Sequence, residues 1–426
     1  MSGIIIFTLL LVLMLTGMPV SISLGLTVLT FIFGFTDVPV ASVALKLFTG
    51  IEKFEIMAIP FFILAGNFLT HGGVAKRMIN FATSMVGHWH GGLGLAAVVA
   101  CALFAAVSGS SPATVVAIGS ILMPAMVKAG FPKDFGAGVV TTAGGLGILI
   151  PPSIVMVMYS VTTNTSVGAL FMAGVIPGLM LATLLGLTTW WRARQGNYPR
   201  LPKASWPQRL KALKESIWGL MLIVVVMGGI YTGMFTPTEA AAMSAVYAFI
   251  VAVFIYKDLT LKDVPRMLLN SANMSAMLLY IITNAVLFSF VLANENIPQQ
   301  LADWLVGMGL GPIAFLLVVN LLLLVAGNFM EPSSIILILA PILFPVAVQL
   351  GIDPIHFGIL IVVNMEIGLC TPPVGLNLYV ASGIAKMGMT ELTKAVGPWL
   401  LTMLIFLGLV TYVPSISLWL PNLLMK

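Results

Sequence analysis

Charge is what this chain has least of. Of 426 residues, 8% are Asp, Glu, Lys or Arg and 60% are hydrophobic, whereas a soluble domain is about a quarter charged. That deficit excludes a water-soluble globular enzyme and leaves a polytopic membrane protein. The length allows roughly a dozen apolar segments of about 20 residues each. The two cysteines, Cys101 and Cys370, both lie in apolar stretches, so no disulfide framework is expected. Histidine is scarce as well, with four residues. His88-Trp89-His90 lacks a nearby cysteine or carboxylate cluster and reads as a loop at the membrane interface, not a metal pair. No Walker A sequence is present, which argues against direct ATP hydrolysis. A His-Glu-x-x-His motif and paired intramembrane aspartates are also missing, which argues against an intramembrane protease. The N-terminus lacks a basic region and a small-residue cleavage site, so no removable signal peptide is expected. The net charge of +5 resides mostly in short loops, where membrane topology accounts for it and nucleic acid is not needed as a partner.

What is present is an unusual stretch that occurs twice. Residues 108–114 read Ser-Gly-Ser-Ser-Pro-Ala-Thr, and the apolar sequence behind them closes with Gly147-Ile148-Leu149-Ile150-Pro151-Pro152. Residues 327–333 read Gly-Asn-Phe-Met-Glu-Pro-Ser, and the sequence behind them closes with Gly368-Leu369-Cys370-Thr371-Pro372-Pro373. The two Pro-Pro pairs lie 221 residues apart, from Pro151 to Pro372, and Gly147 and Gly368 share that offset. A polar, helix-breaking run in hydrocarbon is costly because lipid cannot satisfy the freed backbone groups. Its recurrence in corresponding positions of two halves points to a transporter binding site. Gly17-Met18-Pro19 and Met234-Phe235-Thr236-Pro237 support the duplication, as do Gly130 with Phe135-Gly136 and Gly351 with Phe357-Gly358.

Spans are expected near 3–17, 19–35 and 55–70, then a hairpin at 91–128, a broken helix at 134–160 and a span at 166–190. A basic connector covers 191–215. The second half repeats the plan with spans near 216–234, 238–256 and 272–293, a hairpin at 310–350, a broken helix at 355–384 and a span at 396–421. Segment 38–54, with Lys46, Glu52 and Lys53, is too charged to span and is expected to be an interfacial amphipathic helix. The fold class is therefore an all-α polytopic membrane protein with repeats at 1–190 and 216–426. Each repeat has about five crossings and one re-entrant hairpin, and five is odd, so the second repeat is expected to be inverted. The arginines and lysines of the connector place it in the cytoplasm. Lys76/Arg77, Lys128/Lys133, Lys257/Lys262/Arg266 and Lys386/Lys394 then fall on the same side, while Glu295, Asp303 and Asp353 fall opposite. Both chain ends are expected outside. Lys46, Lys53 and the terminal Lys426 are exceptions to the pattern.

The chemistry concentrates at the two tips. The first offers hydroxyls on Ser108, Ser110, Ser111 and Thr114, and the Gly-Pro-Pro break behind it should leave carbonyls without helical partners. Carbonyl and hydroxyl oxygens without a carboxylate suit a weakly held hard cation such as Na⁺. The second half repeats the parts with Gly327, Asn328, Gly368 and Thr371. Half-helix N-termini at such breaks attract a carboxylate, so the two tips would flank an anion with a sodium ion on each side. Among intramembrane acids, functional by default, Glu331 is expected at the substrate end of the second tip. Glu366 is read as either a transport residue or a hydrogen-bonding tie between hairpin and helix, and Glu239 as a helix N-cap. The plainer alternative is that Gly and Pro merely permit tight helix packing; the duplicated, hydroxyl-bearing pattern argues against it.

Leu103-Phe104-Ala105-Ala106-Val107-Ser108-Gly109-Ser110-Ser111-Pro112-Ala113-Thr114 resembles the first hairpin tip of the large membrane subunit of tripartite ATP-independent periplasmic (TRAP) transporters. Gly327-Asn328-Phe329-Met330-Glu331-Pro332 and Thr371-Pro372-Pro373-Val374-Gly375 resemble its second tip and break, and the likeness extends over essentially the whole chain. The resemblance implies an elevator-type, Na⁺-coupled permease of the bacterial inner membrane, without enzymatic activity. It further implies two partners on separate chains, a small membrane subunit and a periplasmic substrate-binding protein that delivers an organic acid anion, a C4-dicarboxylate in most members. By the same resemblance one sodium site would use Ser108, Ser111, Gly147 and Ile150, and the other Gly327, Gly368 and Thr371. Substrate would meet Ser110, Thr114, Asn328, Glu331, Pro332 and Ser333. A stand-alone sodium–dicarboxylate symporter and a membrane scaffold or channel subunit are the alternatives.

Overall fold

Hydrocarbon leaves a chain this apolar little choice but helix, because only intrasegment hydrogen bonds satisfy the backbone there. The computed structural model describes residues 2–36, 38–307 and 311–424, and no strand occurs among them. The first half runs through α1 (Ser2–Leu15), α2 (Val20–Phe35), α3 (Val40–Thr49), α4 (Ala58–His71) and α5 (Val74–Val86). A hairpin follows, α6 (Gly92–Ser108) and α7 (Ser111–Lys128), then a broken helix of α8 (Lys133–Ala143), α9 (Leu146–Leu149) and α10 (Ile154–Thr163), and the long α11 (Val167–Gln195). The second half holds α12 (Trp206–Tyr231), α13 (Pro237–Ile250), α14 (Val264–Asn294) and α15 (Ile297–Gly307). Its hairpin is α16 (Pro312–Gly327) with α17 (Pro332–Gln349), and its broken helix is α18 (Pro354–Leu369) with α19 (Leu376–Ala385). Two further helices, α20 (Met389–Tyr412) and α21 (Ser415–Leu424), close the chain.

Both expected hairpins and both broken helices are thus present, in one order in each half. Position 310, the expected start of the second hairpin, lies outside the described residues. Among the described residues, eight helices are long and apolar enough to cross a membrane, or nine if the pair Lys133–Leu149 and Ile154–Thr163, bent by 40°, counts as one span. The leading hairpin arms have 17 and 16 residues. At about 1.5 Å per residue they fall short of a hydrocarbon core about 30 Å thick.

Three boundaries differ from expectation, each for a local reason. The connector is irregular only over 196–205, because α11 continues through Arg192 and Arg194 and α12 already starts at Trp206. Arginine in the last turn suits the negative end of the helix dipole, and a capping box of Ser205 and Gln208 opens α12. The span expected at 396–421 divides at Val413-Pro414, where proline lacks the N–H that continuation needs. α5 and α15 are helices where no span was expected. Both are short, and α5 carries Lys76 and Arg77, so neither reads as a crossing.

The helices pack in two groups. In one, α4 lies against α13 and α14, α2 against α14, and α5 against α12. In the other, each hairpin's return arm packs on the far half of the opposite repeat's broken helix: α7 on α19, and α17 on α10. α5, α4 and α12 border α6, and α14 and α15 border α17, which joins the groups along the hairpins.

The expected interfacial segment is α3 with the linker to α4. Its lysines, the exceptions to the charge pattern, are held by the protein: Lys46 sits 5.2 Å from the Phe290 ring centroid. Lys53 Nζ donates to the Val161 carbonyl and to Asn164 Oδ1, both at 2.6 Å. A cation there faces the C-terminal end of α10, where unpaired carbonyls and the dipole favour it. Replacing Lys53 by Met is expected to lower the thermal unfolding midpoint in detergent, losing about 1–3 kcal/mol for a charged hydrogen-bonding group, while Lys53→Arg loses less. An unchanged midpoint in Lys53→Met would show that the contact adds nothing.

Candidate functional site

The breaks follow from proline placed four residues after glycine. In a helix the N–H of residue i+4 pairs with the carbonyl of residue i. For Gly147 and Ile148 those partners are Pro151 and Pro152, and for Gly368 and Leu369 they are Pro372 and Pro373, none of which has an N–H. Four carbonyls therefore lose their helical donor at matching places in the two repeats. Ile148 is repaired by Ser153, whose Oγ donates at 2.6 Å, and Gly368 by a tighter bond from the Thr371 N–H at 3.1 Å. Ile150 turns extended, at φ −78° and ψ 123°. Both Pro-Pro peptide bonds are cis.

Each tip meets a break through glycine. A Cβ at Gly147 would come within 2.6 Å of the Ser110 carbonyl oxygen. A Cβ at Gly368 would come within 2.7 Å of Gly327 Cα. Val374 N–H donates to the Asn328 carbonyl at 3.1 Å, tying the second tip to the residues just past Pro373. At the first tip Gly109 takes the left-handed conformation at φ +62° and lets the chain reverse beside the Pro152 carbonyl.

The first tip is braced from within. Ser108 Oγ and Thr114 Oγ1 share a hydrogen bond of 3.0 Å, and Thr114 Oγ1 donates to the Ser110 carbonyl at 2.8 Å. Ser111, fully buried, directs its hydroxyl to the amide of Asn377 just past the opposite break. Ser108, Ser111 and Gly147 thus meet at one tip–break junction, with Ile150 three residues past Gly147, and Gly327, Gly368 and Thr371 lie at the other. Hydroxyl and carbonyl oxygens dominate both. Among the described residues no group of three or more His, Cys, Asp or Glu could hold a metal ion.

Both tips face one cavity of about 330 Å³. Ser108–Ala113 line it from the first tip and Glu331, Pro332 and Ser333 from the second. α4 closes it through Ile63, Gly66, Asn67 and Thr70, and α14 through Met274, Met277 and Leu278. Of the expected substrate residues, Ser110, Glu331, Pro332 and Ser333 line this cavity. Thr114 is buried beneath the first tip, and Asn328 presents its carbonyl to Val374. α7 and α17 start at the tips, each with proline in its first turn, so unpaired N–H groups point at the same space. Glu331 Oε1 accepts from Ser334 Oγ at 3.3 Å. Glu366 does not form the hydrogen bond considered for it. It is fully buried, neither carboxyl oxygen has a partner, and the side chain presses on Gly145, whose Cβ would lie 2.6 Å from its Cγ. Glu239 is the expected cap: its Oε2 accepts from the Thr236 N–H at 2.8 Å.

Several functional positions carried no signal in the sequence. Asn377 is a lone amide in an apolar helix and Thr141 offers its backbone carbonyl, which no side-chain pattern reveals; only the fold brings them to the first tip. Asn67, which donates to Ser271 at 2.7 Å in the cavity wall, is likewise isolated.

Two hairpins meeting two broken helices around one cavity define a polytopic membrane transport protein, and comparison with known proteins gives the family. Residues 7–416 match the family model "Tripartite ATP-independent periplasmic transporter, DctM component", and the chain belongs to this family. A relative from Rhodobacter capsulatus, "C4-dicarboxylate TRAP transporter large permease protein DctM", is 76% identical over the full length of both chains. The protein of the same title from Pseudomonas aeruginosa is 56% identical over 94% of each. Among solved structures, the YdaH transporter of Alcanivorax borkumensis shares the fold with a TM-score of 0.64, at 16% identity and over 90% of each chain.

Overpacking a tight contact costs about 1–3 kcal/mol. Gly147→Ala and Gly368→Ala are therefore expected to abolish transport while the chain still reaches the membrane. Gly383→Ala, where a Cβ meets nothing within 4 Å, serves as the control. Membrane abundance and uptake measured together check this, and wild-type uptake by either tip variant would refute the tight junction.

Proposed function

We propose that this chain is the permease subunit of a Na⁺-coupled secondary transporter that imports a C4-dicarboxylate across the bacterial inner membrane. The observation that carries the reading is one cavity of about 330 Å³ lined by the hydroxyl-bearing N-terminal turns of both return arms. Ligand pockets of about 300–1,000 Å³ accept small organic molecules, and a helix N-terminus binds a carboxylate without a basic side chain. Two N-termini on one cavity match an anion with a carboxylate at either end. The C4-dicarboxylate names of the two relatives agree with that chemistry.

Sodium enters at the two junctions. Oxygen dipoles without formal charge hold a hard monovalent cation weakly enough to release it on each cycle. One ion would sit among Ser108, Ser111 and the carbonyls of Gly147 and Ile150, the other among Gly327, Gly368 and Thr371. A lone carboxylate beside an anionic substrate is repulsive, so Glu331 fits this site best when a cation occupies the junction at Gly327, four residues away. Anion binding would then depend on ion binding, as symport requires.

The two helix groups suit an elevator. The group with both hairpins and both broken helices would slide against the group built on α4, α13 and α14, with the repeats inverted about the membrane plane. The cavity wall at Thr70, Val116 and Met274 lies toward Lys76/Arg77, Lys128 and Arg266, the side that the charge pattern assigns to the cytoplasm. This conformation is accordingly read as inward-facing. A small membrane subunit and a periplasmic binding protein would complete the system.

Uptake of labelled succinate into proteoliposomes holding this chain, its small subunit and its binding protein tests the proposal. Uptake is expected to need an inward Na⁺ gradient and the binding protein, and to fall at least about 100-fold in Ser111→Ala and Thr371→Ala, about 2.7 kcal/mol or more. Na⁺-driven uptake without partners would replace the tripartite reading with a stand-alone symporter. Wild-type uptake in both variants would remove the ion sites.

A further inference from the structure

Asn377 is a fully buried amide that touches parts of both repeats. It lies in the second turn of neither hairpin but in the first turn of α19, just past the second break. Its amide faces Ser111 at the first tip: Nδ2 donates to Ser111 Oγ at 2.7 Å, and Ser111 Oγ lies 3.1 Å from Oδ1. The same Nδ2 reaches the Thr141 carbonyl of α8 at 3.3 Å and Cys370 Sγ at 3.8 Å. Cys370 Sγ in turn lies 3.4 Å from the Thr141 carbonyl and precedes Thr371 in the chain. One side chain therefore connects a hydroxyl of the first ion junction to the strand of backbone that forms the second.

We propose that Asn377 is a positioning residue that couples the two ion junctions, so that a cation at one raises the affinity of the other. The inference rests on the reading of those junctions as Na⁺ sites. A hydroxyl has one proton and two lone pairs. When Ser111 Oγ turns a lone pair to a cation, its proton must go elsewhere, and Asn377 Oδ1 is the acceptor within reach. The second lone pair still accepts from Nδ2, so ion binding fixes the hydroxyl against both ends of the amide. Because the same Nδ2 also reaches the Thr141 carbonyl and Cys370, a shift of the amide toward the ion-bound Ser111 is felt beside Thr371. The network is buried, so its members polarise one another in a low dielectric. Coupling between two sites is reciprocal and is typically worth about 5- to 150-fold in affinity.

The test measures Na⁺ dependence in two ways: succinate uptake by the complete transporter in proteoliposomes, and Na⁺ protection of the detergent-purified chain against thermal unfolding. The wild type is expected to show a Hill coefficient of about 2 in both, because two coupled sites set that ceiling. Asn377→Leu, close in volume but without polar atoms, is expected to lower it to about 1 and to raise the half-saturating Na⁺ by about 5-fold or more. In the cycle with Ser111→Ala, the double variant should be no worse than Ser111→Ala alone, since residues sharing one network are non-additive. If Asn377→Leu does not reach the membrane, Asn377→Ser, too short to span the contact, carries the same expectation. A steep wild-type response that survives in these variants, or effects that multiply with Ser111→Ala, would overturn the coupling while leaving the ion sites standing. A wild type indifferent to Na⁺ in both assays would overturn the ion sites and the coupling with them.

Discussion

A backbone carbonyl in the middle of a membrane must find a donor or a cation, because hydrocarbon offers neither. Four carbonyls in this protein are denied their helical donor by Pro151, Pro152, Pro372 and Pro373, and much of the surrounding architecture answers to that. Ser153 and Thr371 supply two substitute bonds. The hairpin tips shield the rest from lipid, each pressed onto a break through glycine, where any side chain would separate the two backbones. The return arms then bury what remains by crossing to the opposite repeat, α7 onto α19 and α17 onto α10. Each tip covers the break of its own repeat, while the return arms cross to the other repeat's broken helix, so the halves pack as one body.

The same constraint accounts for the character of the site. Groups that can neither ionise nor leave are assembled at the junctions: hydroxyls, carbonyls and amide N–H groups. On the proposed reading they would stabilise a cation at each junction and a carboxylate at each N-terminus, with no full charge among them to trap the ligand. Two carboxylates lie near the junctions, Glu331 four residues after Gly327 and Glu366 two residues before Gly368. Glu331 stands at the cavity's edge with Ser334, Glu366 is packed away against Gly145, and Lys53 caps α10 at the far end from the tips.

Much of the fold was legible in the sequence because membrane insertion is written in composition and in breaks. The hairpins at 91–128 and 310–350 and the broken helices at 134–160 and 355–384 were placed within a few residues. Their signals were Gly and Pro clusters whose effect on the backbone is local. The amphipathic α5 and α15 escaped because short helices that carry charge resemble loops. The division of α20 from α21 at Pro414 escaped because the apolar run continues across it. At the site, Ser108, Ser110, Ser111 and the glycines were evident from the tip motifs. Asn377 and Asn67 were not, since a lone amide on an apolar helix shows no pattern until its neighbours are known, and Thr141 contributes a backbone carbonyl that any residue would carry.

The sequence by itself determined that this chain lives in a membrane, that it is built from two related halves, and where its helices must fail. Composition and proline act on the chain within a few residues and need no partner to do so. Only the tertiary structure decided which tip meets which break, that both tips share one cavity with α4 and α14, and that Asn377 of one repeat holds Ser111 of the other. Those contacts join residues up to 266 positions apart, and packing across such distances depends on how whole helices cross.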